Sequence, residues 1–264
     1  MLGDFHVHSY LCKHGKGTVE EYVIDAIEKG LKYIGFSEHI PVPGLDDPDG
    51  RMELKDFSTY INDIRNARET YHKDISILLA IEADYLPGYM DFISAFVNDH
   101  PFDYVIGSVH FLGDWDYSNP ALMHRYDEFG VDLTFQRNYE LLALAAQTGL
   151  YQVIGHLDQP KKYGHRAMRN MDSLIQDTLK IIRDNSCALD VNTSGWRKPV
   201  AELYPSLEIL KMAKELQVPI MLGSDAHQPG DVAADFDRGM ELLKEIGFKD
   251  QTYFIGKEPH LAPL

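Results

Sequence analysis

The sequence predicts a single-domain α/β protein built as a (β/α) barrel, and three observations lead to this prediction. Short apolar runs of strand length alternate with longer helical patterns along the whole chain, which is typical of repeated βα units around a parallel sheet. About seven such units are present, close to the eight of a closed barrel. The length of 264 residues is that of many one-domain α/β barrels, which have roughly 250 residues. We therefore expect residues 1–264 to form one domain.

The individual elements follow from local patterns. Runs of mainly apolar residues predict strands at 2–8, 33–38, 75–83, 103–110, 152–156, 188–193, 220–225 and 253–255. Apolar residues at helical spacing predict helices at 18–28, 54–71, 90–97, 133–147, 171–183, 203–216 and 236–245. Thr18 and Glu21 form a capping box pattern at the start of the first helix, and Gly30 is a typical stop after it.

Two predicted loops are longer than a βα connection needs. They cover residues 40–53, rich in Pro, Gly and Asp, and residues 111–131, which mix aromatic residues with Asp and Arg. Loops of this length in a compact domain are usually functional. We expect the second loop to contact a ligand through Trp115, Tyr117, Arg125 and Tyr126. The alternative is a tolerated surface insertion.

Composition excludes several classes of protein. The chain has 41 acidic and 25 basic residues, a formal charge of −16, which is the wrong sign for gripping a nucleic-acid backbone through the general surface. No apolar run approaches the roughly 18 residues that span a bilayer. Cys12 and Cys187 are the only cysteines and cannot form a disulfide framework. We expect a cytoplasmic protein that binds neither nucleic acid nor membrane, and the oligomeric state stays open.

The positions of the histidines carry the functional signal. Of the 12 histidines, seven lie at the end of a predicted strand or in the loop after it: His6, His8, His14, His39, His110, His156 and His227. Four acidic residues share these positions: Glu38, Glu82, Asp158 and Asp225. In a barrel, all strand C-termini converge on one face. Imidazole and carboxylate suit Zn, Mn and Fe. Any one histidine could be a packed polar terminus, but together they predict a polynuclear metal site at the C-terminal ends of the strands.

These residues carry a resemblance to a known family. The segments DFHVHS at 4–9, IGFSEHIP at 34–41, GSVH at 107–110, GH at 155–156 and SDAH at 224–227 resemble the motifs of the polymerase-and-histidinol-phosphatase (PHP) family. Within it, CKHG at 12–15, GFSEH at 35–39 and NTSGWRK at 192–198 most resemble the monofunctional histidinol-phosphate phosphatases. The resemblance covers nearly the whole chain.

The resemblance implies a distorted (β/α)7 TIM-like barrel and three divalent transition-metal ions, which are Zn, Fe or Mn in the family. It implies a first metal bound by His6, His8, Glu82 and Asp225. Glu82 bridges to a second metal completed by His110 and His156. The third metal is assigned to His14, His39 and His227.

The activity implied by the resemblance is hydrolysis of L-histidinol phosphate to L-histidinol and phosphate, a step of histidine biosynthesis. We expect a metal-bridging hydroxide as the nucleophile, because bound metal lowers the pKa of water to about 7. Bound cations also explain how an acidic protein holds an anionic substrate. Two alternatives stay open. One is another PHP phosphoesterase acting on a nucleotide, a phosphoprotein or a DNA end. The other is a non-catalytic metal-stabilised binding or accessory module.

Substrate and catalytic residues are predicted less directly. Arg197 follows the sixth strand and offers a planar fork for phosphate oxygens, with a surface ion pair as the alternative. Lys161, Lys162 and Arg166 form a second basic group that could reach the phosphate, with a solvated run of charges as the alternative. Besides Glu82, the catalytic candidates are Asp158 and Asp225, either of which could protonate the leaving alkoxide, as could a histidine.

Overall fold

Seven parallel strands form a nearly closed barrel in the computed structural model, which describes residues 2–264. The strands in chain order are β1 (Gly3–Val7), β2 (Tyr33–Phe36), β3 (Ser76–Asp84), β4 (Tyr104–Ser108), β5 (Phe111–Leu112), β6 (Trp115–Asp116), β7 (Val153–Ile154), β8 (Ala188–Asn192), β9 (Ile220–Gly223), β10 (Asp250–Ile255) and β11 (Glu258–Pro263). The barrel order is β1-β2-β3-β4-β7-β8-β9. The predicted fold class is therefore confirmed.

The two ends of the sheet meet where β1 and β9 finish. Val7 pairs with Ala226 in a parallel bridge. The amide of Asp225 donates to the His6 carbonyl at 2.7 Å, and the amide of His8 donates to the Ala226 carbonyl at 2.9 Å. The histidines of the first strand are therefore held beside the residues that follow the last strand.

Helices surround the barrel. They are α1 (Val19–Glu28), α2 (Phe57–Tyr71), α3 (Met90–Asp99), α4 (Arg125–Phe129), α5 (Val131–Gln147), α6 (Asp172–Asp184), α7 (Leu207–Glu215) and α8 (Phe236–Ile246). The capping box of α1 is present, because the amide of Glu21 donates to Thr18 Oγ1 at 3.3 Å and the amide of Thr18 donates to Glu21 Oε2 at 2.6 Å. In residues 2–264, no helix combines the length and apolarity needed to cross a membrane.

The inside of the barrel is packed with side chains. Phe5, Leu78, Tyr104 and Met221 are buried in one cluster. Tyr104 donates its hydroxyl hydrogen to the Phe5 carbonyl at 2.6 Å. A Cβ atom on Gly35 would lie 1.9 Å from the Tyr104 oxygen, so this crossing of strand and ring requires glycine. Because the interior is filled, a ligand has access only at an end of the barrel.

Two predicted elements differ from the structure. The strand predicted at 253–255 lies in the antiparallel hairpin β10–β11 outside the barrel, where Phe254 joins the inner cluster. The helix predicted at 203–216 begins only at Leu207. Pro205 disfavours a helical conformation at the residue before it, and Ser206 is the N-cap, with Oγ accepting from the Ile209 amide at 3.5 Å.

Candidate metal centre

Glu82 lies at the centre of a histidine cluster at the C-terminal end of β3 and is 2% exposed. Its Oε1 is 3.0 Å from His156 Nε2, and its Oε2 is 3.0 Å from His39 Nδ1. The Nε2 atoms of His8 and His6 lie 3.4 and 3.6 Å from Oε2. One carboxylate therefore faces four imidazoles from three segments of the chain, an arrangement suited to bridging cations.

Asp225 closes the cluster on the side of β9. Its backbone φ is 52°, a left-handed conformation that brings the side chain back toward β1. Its Oδ1 lies 3.2 Å from His8 Nε2 and 3.8 Å from His6 Nε2. Asn192 Nδ2 and Ser194 Oγ donate to its Oδ2 at 3.3 and 3.1 Å. A Cβ atom on Gly223 would lie 2.4 Å from His6 Cβ, so this close approach of β9 to β1 requires glycine.

Three further predicted ligands, His14, His39 and His227, lie close to His8 or to one another. The ring centroid of His227 lies 4.3 Å from that of His8 and 4.6 Å from that of His14. His39 lies 4.4 Å from His8. Cys12 is buried nearby, and its sulfur accepts from the Gly15 amide at 3.1 Å. All nine predicted metal ligands are thus brought together by the fold.

Several subsets of these residues have the geometry of a cation site. In five groups, the nitrogen, oxygen or sulfur atoms lie within 4.8 Å of one another: His8 with His39 and His227; Cys12 with His14 and His227; His6 with His156 and Asp225; His6 with His8 and Glu82; His39 with Glu82 and His110. The Nε2 atoms of His6 and His227 are buried without a hydrogen-bond partner. Buried polar atoms are almost always paired, so these orphaned nitrogens and their donor set fit metal ions.

A second ring of carboxylates orients the imidazoles. Asp190 Oδ2 lies 3.0 Å from His6 Nδ1, Asp84 Oδ1 lies 2.8 Å from His110 Nδ1, and Glu38 Oε1 lies 3.4 Å from His8 Nδ1. Such contacts fix the tautomer that presents Nε2 to a cation. Sequence reasoning did not assign Asp84 and Asp190. Their positions in the sequence could have indicated this role, because Asp84 follows Glu82 by two residues and Asp190 lies in β8.

The charges of the cluster are strongly coupled. Burial disfavours an ionised Glu82, but the nearby His39, His6 and His110 outweigh it and hold its pKa well below the usual range. Burial likewise opposes a charged His8, yet hydrogen bonds to Asp225 and Glu38 raise its pKa to about 9. Asp225 and Glu38 therefore stabilise positive charge on His8, whereas burial and the neighbouring His8 lower the pKa of His39 to about 4 and also lower the pKa of His227.

A cavity of about 650 Å³ opens above this cluster. Its lining combines acidic and basic groups from different segments. The acids are Asp46, Asp47 and Asp49 from loop 40–53 and Asp114 and Asp116 from loop 111–131, besides Glu82 and Asp225; the cations are Arg51, Lys162 and Lys198. Sequence reasoning missed Arg51 and Lys198. Both long loops therefore contribute to the cavity, so they are not mere surface insertions.

Lys162 is a lining cation whose pKa is lowered by its surroundings. Its Nζ donates to the Ser118 carbonyl at 2.9 Å. Burial and the neighbouring Lys198 lower the pKa of Lys162 to about 8, against the opposing effect of Asp225 and Asp116. A bound anion would relieve this unfavourable charge.

Four other predicted site residues do not line the cavity. Lys161 and Asp158 form a buried ion pair at 2.8 Å, and Arg166 pairs with Glu202. Arg197 donates to the Ser224 carbonyl at 2.6 Å and to Asp235 at 3.3 Å. Their charges are thus engaged by protein groups outside the lining.

The aromatic residues of loop 111–131 lie in the core instead of the cavity. Trp115, Tyr117 and Tyr126 are at most 1% exposed, and the rings of Trp115 and Tyr126 pack at 4.8 Å. Arg125 lies over the Trp115 ring and pairs with Asp114. The expectation that the three aromatic side chains contact a ligand is wrong, because the loop contains its own hairpin (β5–β6) and helix (α4) and needs a core to hold them. Arg125 is partly exposed and is not among the residues that line the cavity.

Comparison with known proteins identifies the family of the chain. The family model described as the PHP domain matches residues 4–194. The chain belongs to the PHP domain family. This PHP chain is 38% identical over 252 residues to the probable histidinol-phosphatase of Deinococcus radiodurans, covering 96% of both chains. It is 30% identical over 262 residues to the histidinol-phosphatase of Bacillus subtilis, covering 90% of this chain and 98% of that one.

A solved structure shows the same fold in a PHP relative. The crystal structure of histidinol phosphate phosphatase from Lactococcus lactis, complexed with Zn, L-histidinol and phosphate, superposes with a TM-score of 0.85 at 23% identity. The match covers 98% of each chain. The two proteins therefore share the barrel fold described above.

Proposed function

We propose that this PHP-family protein is a metal-dependent phosphatase that hydrolyses L-histidinol phosphate to L-histidinol and phosphate. The observation that carries the proposal is the Glu82-centred histidine cluster at the floor of a cavity lined by both lysines and aspartates. L-histidinol phosphate has a phosphate at one end, an ammonium group on the neighbouring carbon and an imidazole at the other end, so it carries both signs of charge, as the lining does. The relatives named as histidinol-phosphatases support the same substrate.

The metal set of the proposal is three divalent ions. Glu82 and Asp225 would hold the first with His6 and His8, and Glu82 would also contribute to a second with His110 and His156. His14, His39 and His227 would hold the third. His39 also belongs to a possible ligand group with Glu82 and His110, so it lies between two of these sites. Divalent ions held here would polarise phosphoryl oxygens and lower the pKa of water.

The chain's own residues bind and orient the substrate. Lys162 and Lys198 attract the phosphate. Asp116, partly buried in the lining, attracts the ammonium group. Asp158 takes no part in proton transfer in this proposal, because it does not line the cavity and its carboxylate pairs with Lys161.

Phosphate release by protein of known metal content tests the function. We expect histidinol phosphate to be hydrolysed with a higher kcat/KM than p-nitrophenyl phosphate, a nucleoside monophosphate, a phosphotyrosine peptide or a 3′-phosphorylated DNA end. A preference for any of the last three would favour another phosphoesterase activity. Metal-loaded protein that releases phosphate from none of them would contradict an enzymatic role.

A further inference from the structure

The Tyr204 hydroxyl is a buried polar group that the protein does not pair. Tyr204 is 2% exposed, and it lines the cavity above the Glu82 cluster. Within residues 2–264, its hydroxyl has no hydrogen-bond partner. By contrast, the buried Tyr126 hydroxyl donates to the Pro160 carbonyl at 3.1 Å. Because buried hydroxyls are nearly always paired, an unpaired one in a cavity wall points to a partner supplied by a ligand.

The hydroxyl is suited to donate a hydrogen bond to a ligand. Burial raises the pKa of Tyr204 above its usual range, so the phenol keeps its hydrogen at any physiological pH. A protonated phenol in this position is a neutral hydrogen-bond donor. An anionic oxygen is the acceptor that gains most from such a donor, since hydrogen bonds to charged groups are the strong ones.

Tyr204 belongs to the part of the lining that carries donors. Its ring meets the His156 ring edge-on, with centroids 6.5 Å apart. Ser194 and Lys198, which also line the cavity, follow β8, as Tyr204 does. Lys162 comes from the segment after β7. The cavity aspartates other than Asp225 come from the two long loops instead. Tyr204 therefore shares its part of the lining with Lys162 and Lys198, while the charges of Asp158 and Asp225 also reach its hydroxyl and add to the rise of its pKa.

The surrounding contacts hold the ring in place. Tyr204 and Asn192 exchange two backbone hydrogen bonds, at 2.7 and 3.0 Å. Lys161 Nζ donates to the Leu203 carbonyl at 2.7 Å and lies 5.3 Å from the Tyr204 ring centroid. Asp158 pairs with Lys161 at 2.8 Å and accepts from the Ser206 amide at 3.0 Å. A donor fixed in this way before the ligand arrives binds it without a large ordering cost.

We propose that Tyr204 is a substrate-binding residue whose hydroxyl donates a hydrogen bond to a phosphate oxygen of the substrate. Lys161 and Asp158 act as positioning residues for its ring. The reaction at this phosphate rests on the function proposed above, but phosphate binding itself is measurable without turnover.

Tyr204→Phe tests the proposal, because it removes the hydroxyl and keeps the ring. With metal-loaded protein, we expect the affinity for inorganic phosphate, measured by calorimetry, to fall about tenfold, as for the loss of a hydrogen bond to a charged group. The kcat/KM for histidinol phosphate should fall by a similar factor. The thermal midpoint of the metal-free variant should not fall, since no protein partner is lost.

Tyr126→Phe is the matched control. Its hydroxyl bonds to the carbonyls of Tyr117 and Pro160, and it does not line the cavity. This variant should have a lower thermal midpoint and unchanged phosphate affinity, the reverse of the pattern for Tyr204→Phe.

Lys161→Met tests the positioning role. It should weaken phosphate binding, and the double variant with Tyr204→Phe should bind phosphate no more weakly than Tyr204→Phe alone, because both changes act through one hydroxyl. Additive losses would overturn the positioning role.

Two results for Tyr204→Phe would overturn the proposal. One is phosphate affinity equal to that of the wild type. The other is a lower thermal midpoint in the metal-free variant, which would reveal an internal partner for the hydroxyl. If the wild-type protein binds phosphate but does not hydrolyse histidinol phosphate, the proposed function fails while the affinity comparison still decides the role of Tyr204.

Discussion

Asp84 holds His110 by two contacts from a single oxygen. Its Oδ1 lies 2.8 Å from His110 Nδ1 and accepts the backbone amide of the same histidine at 2.9 Å. The contact requires Nδ1 to carry the hydrogen, which leaves the lone pair of Nε2 directed at the Glu82 side of the cluster, 3.9 Å from Oε1. One carboxylate therefore sets both the position and the tautomer of this imidazole.

The first prediction concerns Asp84. Asp84→Ala should weaken metal binding or activity by roughly 10- to 100-fold, the usual effect of losing a group that orients a metal-binding histidine. Metal titration of the apo-protein measures this. Asp47→Ala is the control, since Asp47 and Asp84 both pair with Arg51, at 2.7 and 3.1 Å, but only Asp84 contacts a histidine. Equal losses of metal affinity in the two variants would contradict the orienting role.

The second prediction concerns Glu82. The purified protein should contain more than one tightly held transition metal per chain, and Glu82→Gln should lose metal and nearly all turnover while remaining folded. Glutamine keeps the shape but cannot share negative charge between two cations. Elemental analysis, circular dichroism and phosphate release measure these three properties. At most one metal per chain in active wild-type protein would contradict the three-ion proposal.

The convergence of the candidate metal ligands could be predicted from the sequence because it depends on one rule. Strand C-termini converge on one face of a barrel, so His6, His110 and His156 meet although they are far apart along the chain. The orienting contact of Asp84 could not be predicted, because it depends on the 2.8 Å approach of two side chains. Nothing in the residue type distinguishes such a carboxylate from a ligand.

The long loops show a second limit of sequence reasoning. Their function as cavity lining could be predicted from their length, but the roles of their residues could not. Trp115 and Tyr126 are aromatic residues in a loop, and the sequence does not reveal that the loop contains a hairpin and a short helix with a core of their own. Similarly, the adjacent Lys161 and Lys162 look equivalent, yet one forms a buried ion pair and the other lines the cavity.

The third prediction concerns the pH dependence of phosphate binding. Lys162 has a pKa lowered to about 8 by burial and by Lys198, so its positive charge is present below that pH and is lost as the pH rises through it. The kcat/KM for histidinol phosphate should therefore decrease above about pH 8. Lys162→Met should lower kcat/KM roughly tenfold to a hundredfold at pH 7 and should flatten this alkaline decrease.

Lys180→Met is the control for Lys162. Lys180 lies on α6 and pairs with Asp177 at 3.0 Å, outside the cavity lining, so its loss should leave the pH profile unchanged. An alkaline decrease of the same size in Lys162→Met would show that another group titrates.

The fourth prediction concerns selection of the leaving group. Asp116 lines the cavity and accepts from the amide and hydroxyl of Ser118 at 2.8 and 2.7 Å, so its carboxylate is held in place to meet an ammonium group. Asp116→Asn should raise KM for histidinol phosphate about tenfold, the cost of losing a hydrogen bond to a charged group. KM for p-nitrophenyl phosphate should not change. Asp127→Asn, an exposed change in the same loop, is the control, and equal effects on both substrates would argue against charge recognition.

The last prediction concerns Arg197, which donates to the Ser224 carbonyl at 2.6 Å immediately before Asp225. Because this contact holds the backbone that places the Asp225 carboxylate, Arg197→Ala should weaken metal binding, and its lower kcat/KM should recover as metal is raised to saturation. Lysine should restore little, because a point charge cannot reproduce the fork that reaches Ser224 and Asp235 together. A loss of roughly tenfold to a hundredfold in kcat/KM at full metal content would instead indicate direct phosphate binding. If Arg197→Ala has the kinetics and metal affinity of the wild type, Arg197 forms only a partly exposed ion pair, which contributes at most about 1 kcal/mol to stability.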